Sequence, residues 1–162
     1  MKEIPQGKPK TTAAHSSRGF TLLLAALVSS LVLTLGLTIV AIARKSVTLS
    51  SIGRDSQFAF YAADTGLECA IYWDLRHDYF STSTPAEAAT CDGQLLVMSG
   101  REATLPHTIT FEFNPNGRCA KLSVTKNLTA PNMEIRSDGF NTTCDTISTS
   151  ARALQRSVRA QY

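Results

Sequence analysis

The sequence predicts an α+β fold in which one long N-terminal helix packs on a small antiparallel β-sheet. Residues 20–43 form an apolar run without a charge, and a helical pattern continues to about residue 78. From residue 79 onward the apolar residues recur with a period of two, which is typical of strands. We therefore divide the chain into a basic leader (1–19), a membrane-spanning helix (20–43), its amphipathic continuation (44–78) and a sheet domain (79–162).

The apolar run from Phe20 to Ala43 is long enough to cross a bilayer. As a helix its 24 residues would extend roughly 36 Å, and the hydrocarbon core is about 30 Å thick. The net charge of +3 resides entirely in residues 1–19, and the remaining acidic and basic residues balance. A folded part without a basic excess does not predict nucleic-acid binding.

Residues 44–78 continue the helical pattern without proline. Small residues recur on one side at helical spacing, with polar residues between them, so this half of the helix is amphipathic. The small stripe consists of Ala59, Ala63, Gly66 and Ala70. Because Gly66 costs about 1 kcal/mol relative to alanine inside a helix, we expect another element to pack closely against it.

The period-two segments predict five strands: Leu95–Met98, Thr108–Phe113, Cys119–Lys126, Met133–Ser137 and Ser157–Tyr162. Residues 80–93 read as a loop because they are rich in Ser and Thr and contain a proline and a glycine. Turn signals separate the strands at Ser99-Gly100, Asn114–Gly117, Ala130–Asn132 and Asp138-Gly139. The clearest of these hairpin turns is Asn114–Gly117.

Four cysteines have long spacings and no C-x-x-C pair, which disfavours zinc ribbons and thioredoxin-like motifs. An even number of cysteines beyond a membrane favours two disulfides, and buried free thiols are the alternative. Of the three possible pairings we favour Cys119–Cys144, which closes the hairpin region, and Cys69–Cys91, which ties the helix end to the loop.

The junction between leader and apolar run reads Ser17-Arg18-Gly19-Phe20-Thr21-Leu22-Leu23. It resembles the leader signal of type IV pilins and pseudopilins, and the resemblance implies cleavage after Gly19 by the prepilin peptidase and N-methylation of Phe20. The basic leader, with Arg18, would stay cytoplasmic and the sheet domain would lie outside. A competing site at Ala41–Ala43 is disfavoured, because the apolar run far exceeds the 7–15 residues of a secretory signal.

The segment Ala59–Glu68 is similar to a helix segment of PilX-type minor pilins and of the K-type tip pseudopilin, with Asp64 where those carry Glu. The resemblance implies a structural subunit of a type IV pilus, without enzymatic activity or cofactor, whose partners are the membrane, other pilin subunits and the pilus assembly platform. The alternatives are a pseudopilin of a type II secretion or DNA-uptake machine, and a surface binding module on an uncleaved anchor.

One position departs from the family pattern. Pilins commonly carry Glu as the fifth mature residue, and here that residue is Leu24. A subunit without this carboxylate could begin a fibre, as the K-type subunit is believed to do, or sit anywhere along it.

Small and hydroxyl residues also repeat every fourth position in the span, where they could contact sister helices or bond to their own helix. These are Ala26, Ser30, Thr34 and Thr38.

Catalytic and metal-binding patterns are missing from the sequence. The three histidines are scattered, and no H-E-x-x-H, G-x-S-x-G or Walker pattern occurs. Asp64 and Glu68 lie one helical turn apart, and we interpret them as a solvated helix face. We therefore expect no enzyme, no cofactor and no metal site.

Overall fold

The computed structural model describes residues 17–85 and 87–162, and it confirms the α+β fold. One helix, α1 (Ser17–His77), precedes six strands. The chain divides into two compact units, Met1–Thr48 and Leu49–Tyr162, which we call the anchor unit and the sheet unit. Residues 1–16 of the predicted leader lie outside the described residues.

Helix α1 runs for 61 residues because no proline interrupts it. It ends one residue before the predicted boundary. Asp78 takes a left-handed conformation (φ 42°), which a helix cannot continue. The Asp78 N–H donates to the Asp74 carbonyl at 2.9 Å and the Tyr79 N–H donates to the Trp73 carbonyl at 3.1 Å, so the last turn is capped.

A four-stranded antiparallel sheet forms the sheet unit in the order β3-β4-β5-β6. These strands are β3 (His107–Phe113), β4 (Ala120–Lys126), β5 (Met133–Phe140) and β6 (Gln155–Gln161). They match four of the five predicted strands within a few residues. The predicted hairpin at Asn114–Gly117 joins β3 to β4, with left-handed backbone at Asn116 (φ 49°) and Gly117 (φ 71°).

Two sequence predictions about strands and turns are wrong. The segment Leu95–Met98 pairs only at its start, where β2 (Gln94–Leu95) forms a short ribbon with β1 (Thr90–Cys91) in the predicted loop. Asp138-Gly139 is not a turn but part of β5, with Gly139 opposite Ala120 and Arg156. Glycine serves there because the strand runs against the helix backbone, as the next subsection describes.

The core of the sheet unit lies between the sheet and the second half of α1. Buried residues alternate with more exposed ones along β3, β4 and β5. The aromatic ring of Phe80 stacks on Phe111 with 6.1 Å between centroids and 10° between planes. Buried aliphatic side chains complete this layer at Ile109, Leu122, Val124 and Ile135.

Candidate functional site

The apolar half of α1 exposes its side chains on every side. Fourteen large apolar residues between Phe20 and Ile42 are 49–73% exposed, and none of the most apolar 18-residue window is buried. By length and composition α1 can cross a membrane, which is consistent with a single-pass anchor.

The hydroxyl groups that repeat every fourth position in the span, which could contact sister helices in an assembly, bond to their own helix. Ser30 Oγ donates to the Leu27 carbonyl at 2.8 Å, and Thr34 and Thr38 make the equivalent bonds at 2.9 and 2.7 Å. Of the two interpretations left open by the sequence, the structure shows back-bonding. Ala26, like the three hydroxyl residues, faces outward and stays free to meet another helix.

The predicted cleavage bond between Gly19 and Phe20 lies in the first turn of α1. The first four N–H groups of a helix have no partner inside it, so this turn opens at the lowest free-energy cost. A side chain added at Gly19 would meet no atom within 4 Å. Leu24 follows one turn later and is 53% exposed. Among the described residues, the glycine of the predicted cleavage bond therefore has open space around it.

The small stripe of α1 is the face on which the sheet packs. Ala59, Ala63 and Ala70 are fully buried. A Cβ added at Gly66 would lie 2.6 Å from Ser137 Oγ, which confirms the expected close approach. The matching glycine on the sheet is Gly139, which sequence reasoning missed.

Gly139 lies directly against the helix backbone. A Cβ there would lie 2.1 Å from the Ala59 carbonyl oxygen and 2.3 Å from the Ala63 nitrogen. Real Cβ atoms essentially never show distances below 3.0 Å. The Asp-Gly pair suggested a turn, and only the spacing of the helical alanines opposite it could have pointed to this contact.

Two disulfides reinforce the sheet unit, in the pairing that the sequence favoured. The helix disulfide (Cys69–Cys91) joins α1 to β1 with 6.1 Å between Cα atoms. The hairpin disulfide (Cys119–Cys144) joins the start of β4 to the short helical turn after β5, with 4.7 Å between Cα atoms. Beside the helix disulfide, Trp73 Nε1 donates to the Thr90 carbonyl at 2.9 Å, so ring and disulfide hold the same loop.

The last residue of the chain is tied to the last turns of α1, a contact that sequence reasoning also missed. Tyr162 Oη donates to Asp74 Oδ2 at 2.8 Å, and its main chain pairs with Met133. Burial, and then the hydrogen bond to Asp74, raise the pKa of Tyr162 above its ordinary range. Lys126 Nζ lies 2.7 Å from Asp78 and 3.8 Å from Asp74, so an ion cluster closes this end of the sheet unit.

The outward face of the sheet carries charges that pair across strands. Glu134 accepts from Arg159 at 2.6 Å, and this hydrogen bond is the main cause that lowers the pKa of Glu134. Lys121 and Glu112 form another cross-strand pair on this face at 3.0 Å, and Arg136 pairs with Asp138 of the same strand at 3.1 Å. Charges that pair with one another between and along the strands make this a solvated face.

The titratable residues considered from the sequence have separate surroundings. Asp64 is half-buried and Glu68 exposed on α1. His77 faces Glu87 at 4.0 Å, and His107 Nε2 lies 3.0 Å from the Phe80 carbonyl. His15 lies outside the described residues. Glu112 also lies near Cys119 and Cys144, but sulfur atoms joined in a disulfide do not offer the thiolates that metals bind.

Comparison with protein-family models, with curated proteins and with solved structures found no match to this chain. What the chain itself offers is an apolar helix whose first half faces outward all round, and a disulfide-linked sheet unit that covers the second half.

Proposed function

We propose that this protein is a structural subunit of a type IV pilus, a minor pilin, assembled into a surface fibre after its leader is removed. The observation that carries the proposal is the exposure of the apolar half of α1, where fourteen large side chains are 49–73% exposed. The leader junction at residues 17–23 and the segment 59–68 support it through their resemblance to the pilin family.

The magnitude of this exposure supports a helix that does not stay in water. Fully burying one large apolar side chain is worth about 1.5–3 kcal/mol. Fourteen such side chains, each about half to three-quarters exposed, represent about 10–30 kcal/mol, which equals or exceeds the whole stability of an ordinary domain, about 5–15 kcal/mol. Lipid can cover this helix before assembly and sister helices can cover it afterwards, so transfer from one to the other never exposes it to water.

The sheet unit has a core and cross-links of its own, which a domain on the surface of a fibre requires. Its core comes from the second half of α1, the segment after the helix and the sheet, with two disulfides suited to an oxidising compartment. Removal of residues 1–19 would therefore leave the sheet unit intact. The resemblance adds N-methylation of Phe20, and it implies that the prepilin peptidase and the assembly platform act on the same subunit.

N-terminal sequencing of the membrane-extracted protein tests the proposal. A mature start at Phe20 supports assembly, and a start at Met1 supports a binding module on an uncleaved anchor. Gly19→Val should block cleavage because its side chain obstructs the peptidase. Gly36→Val is the matched control, because a Cβ at either glycine meets no atom within 4 Å. Cleavage at Phe20 that is unaffected by Gly19→Val would contradict the assigned site.

The location of the mature protein separates a pilin from its nearest alternative. Recovery in sheared surface fibres supports a minor pilin, whereas retention in the cell envelope supports a pseudopilin of a secretion or DNA-uptake machine. Leu24 cannot offer a carboxylate to the terminal amine of an earlier subunit, so this subunit could begin a fibre or sit anywhere along it. Immunogold labelling separates the two positions: labelled fibre ends support the tip, and even labelling along the shaft refutes it.

A further inference from the structure

The sheet unit contains two acceptor sequences for N-linked glycans, Asn127-Leu128-Thr129 and Asn141-Thr142-Thr143. Such a sequence is an asparagine, any residue except proline, and then serine or threonine, and it marks surface loops of proteins outside the cytoplasm. The sequence is short enough to occur by chance. The exposure and the hydrogen bonds of each asparagine therefore decide which of the two a glycosyl transferase could reach.

The first acceptor sequence lies on the turn of residues 127–132, which joins β4 to β5. Residues 128–132 are exposed, and Leu128 in the middle of the acceptor sequence is 72% exposed. Asn127 Nδ2 donates one hydrogen bond, to the Pro131 carbonyl at 3.2 Å, and a side-chain amide has a second N–H to offer. Within residues 17–85 and 87–162, the Thr129 hydroxyl forms no hydrogen bond. This acceptor sequence is therefore open to an enzyme in the folded chain.

The second acceptor sequence is bonded into the fold on every side. Asn141 Nδ2 donates to the Arg152 carbonyl at 3.1 Å, and Asn141 Oδ1 accepts from the Leu154 N–H at 2.8 Å. Both threonine hydroxyls of this sequence lie within hydrogen-bond distance of Thr146 Oγ1, at 2.6 and 2.9 Å. The residue that follows is Cys144 of the hairpin disulfide. An enzyme could not turn Asn141 outward without breaking these bonds, so this sequence is closed in the folded chain.

We propose that Asn127 carries an N-linked glycan and that Asn141 does not. This inference goes beyond the proposed function and rests on one part of it, the location of the sheet unit outside the cytoplasm. It does not depend on cleavage of the leader or on assembly into a fibre. Glycans are bulky and solubilising, so sugars on this turn would cover the exposed Leu128 with a hydrated layer.

The donor is an oligosaccharide joined through a diphosphate to a membrane lipid, and a membrane-bound oligosaccharyl transferase catalyses the reaction. Asn127 Nδ2 forms a bond to the anomeric carbon of the first sugar. The bond from that carbon to the diphosphate oxygen breaks, and the lipid diphosphate leaves with the electron pair. One amide proton passes to a base of the enzyme, and nothing is oxidised or reduced. The remaining N–H can still donate to the Pro131 carbonyl, so the turn keeps this hydrogen bond.

Mass spectrometry of the full chain, purified from the membranes of its own cells, tests the site. We expect the peptide that contains Asn127 to carry the added mass of an oligosaccharide, located on Asn127 by electron-transfer fragmentation, and the peptide that contains Asn141 to be unmodified. Thr129→Ala should abolish the added mass, because it removes the hydroxyl that the acceptor sequence requires. Thr129→Ser keeps a hydroxyl and should retain the glycan. Thr129 is exposed, so both changes leave the fold intact.

Thr143→Ala is the matched control, because it removes the equivalent hydroxyl from the second acceptor sequence and should leave the glycan unchanged. An unmodified Asn127, a glycan on Asn141, or an added mass that persists in Thr129→Ala would each overturn the assignment. N-terminal sequencing of the same samples separates the two proposals. A Phe20 start with an unmodified Asn127 refutes only the glycan site, whereas a Met1 start with a glycan on Asn127 refutes only the pilin assignment.

Discussion

Replacing Gly139 with alanine adds one methyl group at the closest approach of the sheet to α1. The new Cβ would lie 2.1 Å from the Ala59 carbonyl oxygen and 2.8 Å from the Ala63 Cβ. Both neighbours are rigid parts of a helix, so the strand must move away from α1 or the helix must shift. Either movement loosens the packing of the core that the two elements share.

We expect Gly139→Ala to lower the free energy of unfolding by about 3 kcal/mol or more, the upper end for an overpacked core. Gly66→Ala should cost less. Its Cβ meets a Ser137 hydroxyl at 2.6 Å and two side chains at 3.2 Å, and alanine gains about 1 kcal/mol of helix propensity. Gly53→Ala is the control: nothing lies within 4 Å, so it should stabilise the sheet unit by about 0.5–1 kcal/mol.

The fluorescence of Trp73 reports unfolding of the sheet unit, because Trp73 is the single tryptophan and is buried in its core. Detergent-solubilised full-length variants, with disulfides intact, are heated or titrated with urea. For a unit of this size a loss of about 3 kcal/mol lowers the unfolding temperature by about 10 °C. If Gly139→Ala melted within about 2 °C of the unaltered protein, the close packing of β5 on α1 would be refuted. Destabilisation by Gly53→Ala would show that α1 is covered at that position.

Three further predictions concern pH and covalent linkage. The raised pKa of Tyr162 means that its stabilising contribution is complete below the ordinary value of about 10 and declines as pH rises above it, so Tyr162→Phe should flatten the fall of the unfolding temperature between about pH 9 and 11. Removing either disulfide by Cys→Ser pairs should cost about 3 kcal/mol, and nearly equally, because the bridges span similar sequence separations of 22 and 25 residues. Arg159→Gln should return the lowered pKa of Glu134 toward its ordinary value, measured by NMR titration of that carboxyl; an unchanged pKa would refute the pairing.

The type and order of the secondary-structure elements could be predicted from the sequence wherever a periodic pattern marked an element. The length of the uncharged run predicted the apolar helix, and the stripe of small residues predicted the face on which the sheet packs. The alternation of apolar and polar residues predicted four of the strands. The Asn114–Gly117 turn could be predicted because two successive residues with left-handed backbone favour Asn and Gly. Each of these signals is local and arises from residues within one element.

The contacts that could not be predicted join residues distant in sequence. Gly139 lies in a strand because of Ala59 and Ala63, about eighty positions earlier, and its own neighbours in sequence suggest a turn. Tyr162 reaches Asp74 across 88 residues. The short β1–β2 ribbon is held by the helix disulfide and by the hydrogen bond of Trp73, and its own residues carry no strand pattern that would have predicted it. Pairing partners of this kind follow from the tertiary fold, which overrides local preference.

The division of α1 into two chemically different halves has a consequence for assembly. The free energy that folds the sheet unit comes from the core that the second half shares with the sheet, and the first half contributes nothing to this core because its side chains are exposed. Exchanging lipid for sister helices around the first half would therefore leave the stability of the sheet unit unchanged. Under the proposed function, a subunit could enter or leave a fibre without unfolding.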